Sequence, residues 1–346
     1  MGEACLAPTI RAVRRLVLVL ALLFVSACAS SAARAEAPTL VGAIYPLSGP
    51  QAPGGKEELS GVKAALELAQ AQSGGRPVRL QVIDAATPEA AAAAVDRLHA
   101  AGAKVIVGTY GSTLAAAAAA RAEQLKTVYW ETGAVADSLT VNRHWVFRTV
   151  ATGSTLGRMA AEFTSRVLIP GDHMQAAAAR AVIVHVDDVY GRSVAHGESA
   201  RAAQLGIPIV DDIAYNPLAF DADQVVARLA ADRPDYLWDV SYLDDGVAIW
   251  SAVVRSQLAL KGAVGTSSAF CMPDFGARLG TAAIGVFAAD KPSGDVSPAA
   301  LNPDGRSLLA RARHAYARVG GGAQMSIPAV AGFVGGWTLF HEVLPK

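Results

Sequence analysis

Side chains able to do chemistry are present in this chain but scattered. Asp187-Asp188 and Asp244-Asp245 are adjacent carboxylates at the ends of apolar runs, the raw material of a general acid–base pair. Neighbouring positions point in different directions, so solvated loop acids are the expectation for all four. The seven histidines (99, 144, 173, 185, 196, 314 and 341) include no pair at metal-ligand spacing, and His185 lies inside an apolar run where a satisfied histidine is expected. Cys5, Cys28 and Cys271 form no CxxC and no Cys/His cluster, which excludes a disulfide scaffold and a thiolate zinc site. G-x-S-x-G, G-x-x-x-x-G-K-[ST], H-E-x-x-H and a post-strand G-x-G-x-x-G are all absent. No catalytic residue, metal or cofactor is therefore expected. One stretch does suit binding: Gly108-Thr109-Tyr110-Gly111-Ser112 follows Val105-Ile106-Val107 and opens a helical pattern. Unpaired N–H groups, the helix dipole and the Ser112 hydroxyl favour an anion there, although plain N-capping accounts for the same residues.

The elements that must position such a stretch alternate regularly. Buried-strand patterns cover residues 39–45, 78–83, 105–107, 127–131, 181–186, 207–213, 236–240, the vicinity of 264, and 285–289. Helical spacing covers 56–71, 88–101, 112–125, 155–168, 190–205, 220–231, 244–258, 306–319 and 328–343. Residues 175–180 read as an Ala-rich connector, and 291–305 as a Pro-, Ser- and Gly-rich loop. Short apolar strands separated by amphipathic helices imply right-handed βαβ units and parallel sheets covered on both faces. Two such series, breaking near residue 150, predict an α/β protein with two Rossmann-like lobes. In that architecture a ligand sits at the carboxyl ends of the strands.

The chain has 346 residues, 52% hydrophobic and 17% charged, with 30 basic and 30 acidic side chains. Length suggests about two domains, and the zero net charge argues against a nucleic-acid partner. Arg11, Arg14 and Arg15 precede the apolar run 16–24, and Val25-Ser26-Ala27-Cys28 follows it. That is the layout of a secretory signal, with an apolar run too short for a comfortable membrane span. Val-Ser-Ala-Cys resembles a lipobox, which makes Cys28 the favoured lipidated N-terminus; Ala33-Arg34-Ala35 also fits an ordinary cleavage site. Both outcomes place the protein outside the cytoplasmic membrane. Without residues 1–35 the chain keeps 26 basic and 29 acidic side chains, and Cys271 is its only thiol.

From about residue 39 onward the sequence resembles the type I periplasmic binding proteins, in the Leu/Ile/Val-binding branch that serves ABC importers. The resemblance rests on residues 44–50, 105–112, 133–139 with Phe147-Arg148, 188–191, and 240–242, in that order and spacing. It implies two lobes joined by three crossovers, residues 36–150 with 288–346 forming lobe 1 and 151–287 lobe 2. A small solute would be held between them without chemistry, by a monomer delivering to a membrane permease. By position, Ser112 and its helix N-terminus would take the ligand carboxylate, with Gly133 and Val135 lining the same lobe. Tyr190 and Tyr242 would cover the ligand from the opposite lobe. Ser48, Tyr110, Gly111, Glu131, Ala134, Asp244 and Ser267 complete the expected site.

Three departures bear on the solute. Val135 stands where aliphatic amino-acid binders tend to offer a Thr hydroxyl. The acidic residue that serves the ligand ammonium in those relatives aligns near Ser267-Ser268, which carry no charge; Asp239, Asp244 and Glu131 are the candidate substitutes. A buried ammonium without an anion is costly, so neutral amides, aromatic acids and other small carboxylates compete with an α-amino acid. Finally, family members continue beyond the position of Lys346, crossing back to the second lobe. The resemblance therefore implies that part of that lobe is missing, leaving an exposed sheet edge, as a truncated or frameshifted reading frame would produce. Competing functions are a ligand-sensing receptor component of the same fold and an envelope α/β enzyme, the latter requiring Asp187 or Asp188 to be indispensable.

Overall fold

The computed structural model describes residues 37–72 and 77–345. The signal segment, the lipidation candidate Cys28 and the alternative cleavage site lie outside the described residues. No described helix is long and apolar enough to cross a membrane.

Strands β1 (Thr39–Tyr45), β2 (Val78–Asp84), β3 (Val105–Gly108), β4 (Val128–Glu131) and β5 (Val146–Arg148) form one parallel sheet in the order β2-β1-β3-β4-β5. Strands β6 (Ala181–Val186), β7 (Ile209–Tyr215), β8 (Tyr236–Val240), β9 (Gly262–Thr266) and β10 (Val286–Ala289) form a second, ordered β10-β9-β8-β6-β7. The central strands are buried along their length, Val41 to Tyr45 in β1 and every residue of β6 and β8. This is the continuous apolar run expected of parallel strands covered on both faces.

Helix α1 (Ala52–Gln70) covers one face of the first sheet, and α2 (Pro88–Ala100) with α3 (Ser112–Leu125) covers the other. Beside the second sheet run α4 (Gly153–Phe163), α5 (Val189–Leu205), α6 (Ala222–Asp232), α7 (Leu243–Arg255) and α8 (Pro273–Leu279). After β10 the chain returns to the first sheet as α9 (Pro303–Arg318) and α10 (Ile327–Trp337), both packed on α1. The α1–α10 approach is very close: a Cβ at Gly332 would lie 2.1 Å from the carbonyl oxygen of Glu58. Crossings between the sheets run through residues 149–152 and 290–302.

Several boundaries differ from the sequence expectation for identifiable reasons. Helix α4 begins at Gly153 because the Thr152 hydroxyl accepts from the Thr155 N–H, and it continues as a π turn over Thr164–Leu168. β7 starts at Ile209, since Pro208 has no N–H to give the ladder and offers only its carbonyl, to the Ala181 N–H. The loop expected to reach residue 305 ends earlier, with Asn302 capping Gly305 and Pro303 in the first turn of α9. Strand β5 and helix α8 were not anticipated; both are too short to show a period.

Candidate functional site

In each sheet the strand order reverses beside the first strand of its series, and the crevice lies where the chain leaves the carboxyl ends of the strands. A narrow cavity there leaves the centre of a water-sized sphere only about 10 Å³ of room, so its walls nearly meet in this structure. Its walls are residues that directly follow strands: Tyr110, Gly111 and Ser112 after β3, Gly133 and Val135 after β4, Tyr190 after β6, Tyr242 after β8, Ser267 and Ser268 after β9, and Lys291 after β10. Glu58 of α1 and Pro328 and Ala331 of α10 close it from the helical side.

On the first-sheet side, Gly111 is the N-cap of α3 without a side-chain cap, so the first N–H groups of that helix face the cavity end unpaired within the helix. Ser112 is buried, and its Oγ accepts from the Ala136 N–H at 3.1 Å. That fixes the oxygen and leaves the hydroxyl proton to donate elsewhere. The loop 133–136 is held from behind by Arg148, whose guanidinium donates to the carbonyls of Val135 at 3.1 Å and Ala136 at 2.7 Å.

The second-sheet side is aromatic. Tyr190 and Tyr242 pack with ring centroids 5.4 Å apart. The Tyr190 hydroxyl donates to the Thr266 carbonyl, and the Tyr242 hydroxyl to Asp188 Oδ2 at 2.8 Å. Ser267 and Ser268 both take the left-handed backbone region, φ +57° and +33°. Each costs about 1–2 kcal/mol for a residue with a Cβ, and such strain concentrates at ligand sites. Lys291 donates to Ser267 Oγ at 3.2 Å and pairs with Asp290 at 3.3 Å. Burial would pull its pKa down, but Asp290 and further anionic neighbours outweigh it and hold the ammonium charged.

The expected site residues therefore divide. Tyr110, Gly111, Ser112, Gly133, Val135, Tyr190, Tyr242 and Ser267 come together at the cavity. Ser48 does not: it is exposed and donates to Asp84 at 2.7 Å on the outer strand. Asp244 is exposed and pairs with Arg278 at 2.6 Å. Glu131 is buried but turned inward, accepting from the N–H groups of Thr109, Gly133 and Ala134 and from the Tyr129 hydroxyl. Burial pushes its pKa up to about 7 against those bonds. Its job is to brace the loops after β3 and β4, and Ala134 serves the same brace rather than the cavity. Asp239, the remaining substitute acid, is buried against Ser241 and is absent from the cavity wall.

Asp188 is not the solvated loop acid its sequence suggested. Its Oδ1 caps α5, accepting from Tyr190 and Gly191 N–H, while Oδ2 takes the hydroxyls of Tyr242 and, at 3.1 Å, Thr113 of α3. It thus ties the two sheet systems together. Asp245 is also engaged, accepting from the Tyr215 hydroxyl at 3.1 Å. Glu58, Ser268, Lys291, Pro328 and Ala331 were not among the expected site residues; only Ser268 carried a signal, as the neighbour of Ser267.

A sequence model of the family described as periplasmic binding protein matches residues 38–343. The chain is 27% identical over 307 residues to a Leu/Ile/Val-binding protein homolog 8 of Brucella abortus (strain 2308), covering 87% of this chain and 75% of that protein. It superposes on an ABC-transporter solute-binding protein of R. palustris in complex with benzoate, with TM-score 0.74 and 20% identity over 88% of this chain and 79% of the other. It also superposes on a leucine-binding protein of Thermotoga maritima MSB8, with TM-score 0.75 and 18% identity over 87% and 81%.

Proposed function

This chain belongs to the periplasmic binding protein family, in its Leu/Ile/Val-binding-like type I branch, and from that premise we propose that its interlobal cavity captures a small solute bearing a carboxylate. The family and fold are those of solute-binding proteins that work with ABC permeases outside the cytoplasmic membrane. An amino acid or a compact aromatic acid is the solute class we favour. We take residues 36–150 with 288–346 as one lobe and 151–287 as the other. The solute touches both, so binding shifts the population toward the closed arrangement and leaves the molecule unaltered.

The observation that carries this is the pairing of Ser112, whose hydroxyl proton stays free at the start of a fourteen-residue helix, with aromatic walls from the other sheet. A carboxylate placed there meets oriented donors and the positive end of the helix dipole. Tyr190 and Tyr242 bury the remainder of the solute. Burial pushes both phenols well above their ordinary pKa, so they act as neutral donors and apolar surface.

A thermal-shift screen of the protein without residues 1–27 against amino acids, amides and aromatic acids tests this. A solute at 100 times its Kd adds about 2.7 kcal/mol to stability. Ser112→Ala should weaken that solute roughly tenfold or more, as loss of a hydrogen bond to a charged group does, and Tyr242→Ala should weaken it as well. No shift with any carboxylate, or a shift indifferent to both substitutions, overturns the assignment.

We also propose that Cys28 carries the lipid anchor, supported by the apolar run and Val25-Ser26-Ala27 before it. The full chain made in a Gram-negative host should partition into the detergent phase, and Cys28→Ala should return it to the aqueous phase. A wild-type protein found wholly in the aqueous phase would count against lipidation.

A further inference from the structure

Glu58 is completely buried on α1 and lines the cavity, yet only half of its carboxylate is accounted for. Oε1 accepts from the Thr132 hydroxyl at 2.6 Å, and that hydroxyl is itself tied to Tyr45 at 2.7 Å. Oε2 meets no hydrogen-bond donor among the described residues. It lies against the cavity wall at Gly133, where a Cβ would come within 1.8 Å of it, so only a glycine there leaves the oxygen its place. A buried carboxylate oxygen without a donor is costly to keep, and an orphan of this kind at a binding site points to a partner supplied from outside.

The charges around it indicate what that partner is. Lys291 is the cation on the cavity wall, and Asp290 at 3.3 Å already balances it. Glu131, the nearest other acid, is satisfied by four donors of its own. Glu58 is thus the cavity acid that makes no ion pair among the described residues: Lys291 draws its pKa down from a distance, but burial and Glu131 outweigh that and raise it well above its ordinary value. The uncharged pair Ser267-Ser268 provides no alternative anion on the opposite wall.

We propose that Glu58 is a specificity-determining residue whose free carboxylate oxygen receives the protonated amine of the solute, which makes the solute an amino acid rather than a simple carboxylic acid. This rests on the carboxylate-capturing function proposed above and narrows it. The carboxylate end goes to Ser112 and the helix N-terminus, the ammonium end to Glu58.

Calorimetric titration with matched pairs tests it: L-leucine against 4-methylpentanoate, L-phenylalanine against 3-phenylpropanoate, and benzoate against 4-hydroxybenzoate for a hydroxyl donor. In the wild-type protein the amine should improve Kd roughly 10–100-fold within at least one amino-acid pair, the range of a charge-assisted hydrogen bond. In Glu58→Gln, Thr132 still donates to the side-chain oxygen, which turns the amide NH2 toward the solute and sets donor against donor. The gain from the amine should fall to threefold or less, while a single cooperative thermal transition reports an intact fold. If Glu58→Gln does not fold, Glu58→Asp, which withdraws the oxygen, should lose the gain in the same way. Carboxylates that bind and depend on Ser112, but gain nothing from an amine or gain it independently of Glu58, overturn this proposal and leave the carboxylate site standing. A gain from the hydroxyl alone also overturns it. Failure of all six compounds to bind overturns both.

Discussion

Asp239 shows what a single buried acid does to the whole. It sits at the end of β8 with one oxygen held by the Ser241 hydroxyl and the other without a hydrogen-bond donor among the described residues. Burial pushes its pKa up to about 7 from an ordinary 3.8. Between those values the unfolded chain has released the proton and the folded chain keeps it, so stability falls as pH rises through that window, by up to about 1.4 kcal/mol per pH unit. Glu58, Glu131 and Glu198 are raised by burial too and act in the same direction. Surface acids lowered by hydrogen bonds, such as Asp84 beside Ser48 and Glu123 beside the N–H groups of His144 and Trp145, oppose them only at lower pH. The melting temperature should therefore be higher near pH 5 than at pH 8. Asp239→Asn, which cannot ionise, should narrow that difference and raise the value at pH 8. Equal pH profiles for the variant and the wild type would show that Asp239 titrates normally.

At the scale of elements, the sequence carried the α/β alternation because apolar strands and amphipathic helices have different periods. Ala181–Val186, Tyr236–Val240 and Ser112–Leu125 fall where the pattern put them. Val146–Arg148 and Pro273–Leu279 escaped, since three or seven residues cannot display a period. Ser112 was legible because it opens a helix directly after a strand, and Gly133, Val135, Tyr190 and Tyr242 through the family resemblance, whereas Lys291 follows β10 inside a Pro-, Ser- and Gly-rich stretch that showed no period. Glu58 was not legible either. Within α1 it reads as an ordinary polar position, and it is buried between α10, where Gly332 abuts its carbonyl, and the loop after β4, where Thr132 and Gly133 meet its carboxylate. Glu131 misled in the other direction: an acid at a strand end looks like a ligand group until the backbone N–H groups it braces are visible.

Across the whole molecule, the two sheet systems meet through a handful of direct bonds beside the cavity, so each bears on how readily they part. Thr113 of α3 donates to Asp188 at the start of α5 at 3.1 Å, the Asp137 N–H donates to Ser193 Oγ at 2.8 Å, the Ser154 N–H to Asp137 Oδ1 at 3.2 Å, the Gly153 N–H to the Val135 carbonyl at 2.6 Å and Lys291 to Ser267 Oγ at 3.2 Å, and Val189 packs on the alanine cluster that contains Ala115 and Ala136. Asp188 holds its α5 cap and its bond to Tyr242 with or without Thr113, so the second lobe does not depend on that contact for folding. Thr113→Val keeps the shape of the side chain and removes its hydroxyl. The closed arrangement should lose about 0.5–1.5 kcal/mol relative to the open one, a two- to tenfold shift in their ratio. Scattering from the unliganded variant should then give a larger radius of gyration than wild type. The two should converge at saturating solute, with the variant's affinity reduced by up to the same factor, since solute must pull the population back. The melting temperature of the unliganded protein should change little, because neither core contains Thr113. An unchanged radius and an unchanged affinity would mean that the Thr113–Asp188 bond does not govern closure.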